Sequence, residues 1–234
     1  MAKKKVAIIQ SNYIPWKGYF DMINMVDLFI FHDDLQYTKQ DWRNRNRIKT
    51  QRGTEWLSIP CGSDESRLIC EVELLDKNWQ EKHWRKISQY YAHAPYFELY
   101  KNFFADFYLH HNWNNLSELN QYLIKKISRL FLGINTKFDD SRRYNLKEKK
   151  DTRVIELLKK AGASEYLSGP AAKDYLSEKQ FEDAGIKLLW MDYDGYPEYE
   201  QLYPPFAHNV SIIDLLFNVG EKVCGYLKSF DGRS

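Results

Sequence analysis

The chain has 234 residues, 44% of them hydrophobic, and its 34 lysines and arginines are nearly balanced by 32 aspartates and glutamates. That length holds one sizeable core, or one α/β domain with a helical insertion, and the balance argues against a general attraction to nucleic acid. Cys61, Cys70 and Cys224 show no CxxC spacing and make no disulfide framework, no apolar run reaches transmembrane length, and the basic start is followed by too short an apolar run for a signal peptide. The expectation is therefore a protein of the reducing cytoplasm without a membrane span.

Residues 6–9 (Val-Ala-Ile-Ile) predict a buried strand, and residues 10–15 a loop in which Pro15 sets the first turn of a helix. Apolar residues at helical spacing continue that helix over 16–26. Residues 28–31 (Leu-Phe-Ile-Phe) predict a second buried strand. Strand, helix and strand within about 30 residues match a βαβ unit, whose right-handed crossover makes the strands parallel. Residues 56–60 read as a third strand, and 68–75 as a fourth of imperfect alternation. Residues 79–133 read as helical; Tyr90, Tyr91, Phe103, Phe104, Phe107 and Tyr108 in that region fit helix packing. After a polar connection over 142–150, a helix is expected over 152–161, stopped by Gly162, then strands over 165–168 and 186–192 and a final helix from Ile212. With 17 tyrosines and 7 tryptophans, the chain has either a core with many aromatic edges or a stacking ligand site.

In open parallel sheets ligands gather beyond the carboxyl ends of strands. Gln10, Asn12 and Tyr13 follow the first strand here, and Asp33, Asp34 and Gln36 follow the second. The paired carboxylates could bind Mg²⁺, orient a hydroxyl or act as a base, or else cap a helix or pair with an arginine. His32 is a further candidate base. Asn44, Arg45, Asn46 and Arg47 put two planar cations and two amides into four residues, suited to phosphate or carboxylate, with a solvated basic turn as the plain alternative. The small residues after the strand at 165–168, beginning with Ser168 and Gly169, let backbone N–H groups approach a ligand, but lack the lysine and glycine spacing of a P-loop. His110 and His111 are adjacent and diverge on a helix, so no metal site is expected.

Several blocks resemble the WbqC-like protein family of bacterial polysaccharide gene clusters: AIIQSNYIPWKGYF at 7–20, FHDDLQY at 31–37, NRNRIK at 44–49, YLSG at 166–169, YEQ at 199–201 and SIIDLLFNVG at 211–220. The resemblance implies a role beside O-antigen, capsule or related glycan genes. It further implies acyl or aminoacyl decoration of an amino sugar, the acceptor being a nucleotide-linked 3-amino or 4-amino deoxysugar. A weaker likeness is to the nucleotidylyl-transferase type of α/β fold, in which the first strand leads into a His-x-Gly-His turn. Trp16, Lys17, Gly18 and Tyr19 occupy that place here. Both histidines are missing, so adenylyl transfer does not follow.

The expected fold is thus α/β, with a parallel, Rossmann-like core formed by residues 1–78 and 141–234 and a helical region over 79–140. The expected function is N-acyl or aminoacyl transfer. In it Arg45 and Arg47 grip a pyrophosphate, Tyr13 and Trp16 stack on base or sugar, and His32, Asp33 or Asp34 takes the proton. Gln10, Asn12, Ser168 and Gly169 hold the sugar or the oxyanion, and Gln36, Asn44 and Asn46 are additional binding candidates. The donor would be a thioester of coenzyme A or of an acyl carrier protein, and self-association into a homo-oligomer is compatible with the chain. The alternatives are a ligase that adenylates a carboxylic acid with ATP and Mg²⁺, and a non-catalytic sugar-nucleotide-binding protein.

Overall fold

The structure, a computed structural model, describes residues 3–230. In chain order its regular elements are β1 (Lys5–Ile9), α1 (Lys17–Asn24), β2 (Leu28–Phe31), β3 (Arg45–Thr50), β4 (Gly53–Ser58), α2 (Asn78–Tyr91), α3 (Phe97–Ala105), α4 (Leu116–Leu130), β5 (Lys137–Asp140), α5 (Lys150–Lys160), β6 (Glu165–Ser168), α6 (Glu178–Asp183), β7 (Lys187–Trp190) and α7 (Ile212–Val219). Five strands form a parallel sheet in the order β5-β2-β1-β6-β7. Numbered by appearance within the sheet, this is 3-2-1-4-5, the order of a doubly wound sheet, and the direction of winding reverses between β1 and β6.

The continuous apolar runs of β1 and β2 follow from burial on both faces. Alternate side chains go to opposite sides. Ala7, Phe29 and Phe31 join the larger core with α1 and α2 to α4, whereas Val6, Ile8, Leu28 and Ile30 pack on Leu157, Leu158 and Phe181 of α5 and α6. β1 and β2 come from the first 78 residues and β6 and β7 from the last 94, with α2 to α4 between them in sequence. Among the described residues no helix is long and apolar enough to cross a membrane.

Three elements depart from the expectation. The strand placed at 56–60 is β4, half of a separate antiparallel hairpin whose other strand, β3, runs through the Asn-Arg repeat. The alternation there is real but disguised, because Asn44, Asn46 and Ile48 point inward and two of those three are amides. They satisfy their donors on backbone carbonyls: Asn44 Nδ2 on Ile59 O at 3.0 Å, and Asn46 Nδ2 on Tyr13 O and Ile14 O at 3.0 and 2.9 Å. Residues 68–75 form no strand; they hold a single 3₁₀ turn at Ile69–Glu71 and isolated bridges to Gln36 and Asn115. The edge strand β5 carries one apolar residue, Phe138, and escapes a pattern-based reading.

Candidate functional site

The reversal of winding opens a crevice of about 840 Å³ beyond the carboxyl ends of β1, β2 and β6. Gln10 and Asn12 enter from β1, His32 from β2, Ser168 and Gly169 from β6, and Lys150, Asp151 and Arg153 from the first turn of α5. A slot of about 220 Å³ adjoins it, walled by Pro15, Trp16, Trp42, Asn46 and Asn209. Asn12 and Trp42 line both spaces, so crevice and slot are immediate neighbours. A more open groove of about 890 Å³ runs along α2 past Trp84 and Tyr108, and none of the expected site residues lines it.

Trp16 reaches the slot because residue 18 is glycine. A Cβ there would fall 2.3 Å from Trp16 Cζ2, so the indole lies directly on the first turn of α1. Tyr193 and Tyr196 pack on its edges, with centroids 5.1 and 5.6 Å away. Both tyrosines belong to a strap over residues 191–211 without helix or strand, which also supplies Tyr193 to the crevice and Asn209 to the slot. The strap is pinned along its middle. The buried Lys17 ammonium donates to Pro197 O at 3.0 Å and lies 5.0 and 5.4 Å from the rings of Tyr196 and Tyr199, and burial lowers its pKa to about 8. Tyr199 Oη and Gln201 Nε2 donate to Asp214 Oδ1 at 2.6 and 2.9 Å, while Tyr91 Oη donates to Oδ2 at 2.7 Å. Lys49 Nζ donates to Pro205 O.

The three residues expected to supply the base are differently employed. Asp33 has no exposed surface. Its carboxylate accepts from Ser11 N at 2.7 Å, Ser117 Oγ at 2.5 Å and Gln121 Nε2 at 3.2 Å, tying the loop after β1 to α4. Burial raises its pKa against the pull of those bonds. Asp33 lines neither cavity. Asp34 accepts from Ser141 Oγ and from Arg153 Nη2. Arg153 also donates from Nε to His32 Nε2 at 3.2 Å, and burial lowers the His32 pKa to about 4, so the ring is neutral. A Mg²⁺ ion at Asp33 and Asp34 would meet one carboxylate saturated by protein donors and one paired with arginine, a poor fit for such an ion. Among the described residues no group of three or more His, Cys, Asp or Glu side chains is placed to hold a metal.

Other expected residues divide in the same way. Tyr13 is fully buried, its hydroxyl 2.8 Å from His83 Nδ1 and 2.5 Å from Tyr108 Oη, so it offers no stacking face to a ligand. Gln36 is exposed and donates to Glu65 O at 3.0 Å, away from both cavities. Asn44 serves the hairpin; Asn46 does too, while one side of it borders the slot. Arg45 and Arg47 project outward and stack on Trp56, 4.2 and 4.4 Å from its ring, and line neither cavity. The hairpin instead meets the site through Trp42, whose ring lies 5.4 Å from Trp56, and through Arg43, which pairs with Asp41 at 2.6 Å.

Gln10, Asn12, Trp16, His32, Ser168 and Gly169 are thus brought together as expected. Trp42, Arg153, Asp151, Tyr193 and Asn209 complete the site without having been marked in the sequence. The one available signal was the position of Trp42 beside the Asn-Arg repeat.

Comparison with known proteins gives one curated relative, "Uncharacterized protein Rv1507c" of Mycobacterium tuberculosis (strain ATCC 25618 / H37Rv), 46% identical over 228 residues that cover 96% of this chain and 98% of the relative. No solved structure matches significantly. The family profile described as "WbqC-like protein family" matches residues 10–225 and so takes in both strand ends, the hairpin, the strap and α7. With nearly its whole length matched, the chain belongs to the WbqC-like protein family.

Proposed function

We propose that the protein is a cytoplasmic sugar-modifying enzyme of O-antigen- or capsule-type polysaccharide biosynthesis, transferring an N-acyl or aminoacyl group to a nucleotide-linked amino sugar. Family membership suggests the polysaccharide connection. The observation that carries the rest is the adjacency of two cavities at the switch point: a small slot walled by Trp16 and Trp42, and a larger crevice whose mixed wall brings Gln10, Asn12, His32, Ser168 and Lys150 together with aliphatic and aromatic side chains. A nucleotide sugar has the same two-part character, with a planar base that stacks on indoles and a polar diphosphate-sugar. Asn12, at the junction, has a side-chain amide with no hydrogen bond to the described residues and can donate and accept there.

The donor would be an acyl thioester of coenzyme A or a carrier protein. The sugar amine attacks the thioester carbonyl carbon, a C–N bond forms, the C–S bond breaks, and the electron pair leaves on sulfur. The amine proton needs an acceptor. Asp151 is the carboxylate that lines the crevice without a hydrogen bond or ion pair to described residues, and it takes that proton before passing it to the thiolate. Incubating the protein with a panel of nucleotide-linked 3-amino and 4-amino deoxysugars and acyl thioesters tests the reading. A product lost in Asp151→Asn supports it. Binding of a nucleotide sugar without product across the panel would favour a binding protein instead.

A further inference from the structure

The described chemistry leaves the inner side of His32 unexplained. The residue is 5% exposed, its ring forms part of the crevice wall, and only Nε2 has a partner among the described residues. Arg153 cannot accept a hydrogen bond, so its Nε–H fixes Nε2 as an acceptor. The proton of the neutral ring is therefore on Nδ1. Asp34, through Arg153 Nη2, holds the guanidinium in that orientation.

The same part of the crevice contains the start of α5. This helix runs for 11 residues, and no side chain caps its first turn. Uncapped first-turn amides carry partial positive charge and bind anions. Lys150 comes from that turn and has no carboxylate partner among the described residues, whereas the other two cations of the crevice wall, Arg153 and Arg43, are paired with Asp34 and Asp41.

We infer that the crevice contains an anion subsite for a phosphoryl group, built from the His32 Nδ1–H, the first-turn amides of α5 and the Lys150 ammonium, with Arg153 as the positioning residue for His32. The inference rests on the reading of the crevice as a nucleotide-sugar site and names the part of it that holds the diphosphate. It moves that role from Arg45 and Arg47 to the α5 side. His32 becomes a fixed donor instead of a base, and remains one across the neutral range because burial keeps its ring uncharged.

Two measurements on the full chain test this. Histidine ¹⁵N NMR is expected to show His32 protonated on Nδ1 and bare on Nε2 at pH 7, with Arg153→Lys mixing the tautomers. A proton on Nε2, or an imidazolium at that pH, overturns the assignment. Inorganic pyrophosphate is expected to bind saturably, to shift the His32 Nδ1 resonance, and to bind about tenfold more weakly in Lys150→Ala, a surface change that leaves folding intact. His32→Asn, whose amide can take the Nδ1 position, retains binding that His32→Leu loses. No saturable binding, or losses confined to Arg45→Ala and Arg47→Ala, overturns it. Competition then identifies the carrier of the group, displacement by a nucleoside diphosphate or by coenzyme A; displacement by neither overturns the subsite. A missing enzymatic product with pyrophosphate binding intact would instead defeat only the transferase reading.

Discussion

The strand-end crevice and the β3–β4 hairpin are equally rich in polar side chains, yet they spend them differently. In the hairpin, Asn44 and Asn46 bond to backbone carbonyls, and Arg45 and Arg47 lie flat on Trp56. In the crevice, Asn12 and the inner nitrogen of His32 have no hydrogen bond to the described protein, and Asp151 has neither hydrogen bond nor ion pair. The Nε atoms of Arg45 and Arg47 also lack hydrogen-bond partners among the described residues, but they are buried and line neither cavity. The contrast teaches that uncommitted polar atoms mark a site only where they face a space a ligand can enter.

The sharpest way to break this contrast is at Asp33, which lies beside the crevice in sequence but belongs with the hairpin by its bonding. Asp33→Ala strands the donors of Ser11, Ser117 and Gln121 in the interior, and urea unfolding should show a loss of about 3 kcal/mol. A merely catalytic Asp33 would leave stability unchanged.

Two buried histidines flank these regions, His32 in the crevice wall and His83 on α2. Burial lowers His32 to about 4, and lowers His83, bonded to Tyr13 and to the backbone at Ser58, to about 3. Below pH 6.5 the unfolded chain takes up protons that these native rings refuse, so stability falls with pH between about 6.5 and 4. The expected loss at pH 5 is about 2 kcal/mol for each ring. Asp33 and Asp214, raised by burial, titrate in the opposite sense. The histidine share is therefore read from the flatter pH profile of His83→Gln against the parent chain.

Smaller effects sharpen the comparison. Gly18→Ala forces the Trp16 indole off the first turn of α1, with an expected cost of about 1–2 kcal/mol and weaker binding of nucleoside diphosphates by calorimetry. Arg45→Ala should cost about 1 kcal/mol or less in thermal unfolding, the worth of one partly exposed cation–π contact.

Much of the scaffold was legible because β1, β2 and α7 are largely apolar runs buried on more than one side. Gln10, Asn12, His32, Ser168 and Gly169 could be found from strand ends alone, since parallel topology fixes where those ends open. β3 was hidden by amides at inward positions. Residue type did not reveal whether Tyr13 or Asp33 would be consumed inside the protein, because a tyrosine or carboxylate looks the same whether its partner is a neighbour or a ligand. Arg153 and Asn209 come from distant elements and enter only through tertiary folding.

The strap over 191–211 touches the crevice at Tyr193 and the slot at Asn209, and is held between them by Lys17, Lys49 and Asp214. Such a span behaves as a fixed wall instead of a door. A ligand entering past it need not repay the entropy of ordering a loop, so the shape of the slot acts on the incoming molecule at first contact, and selection between candidate bases precedes any closure.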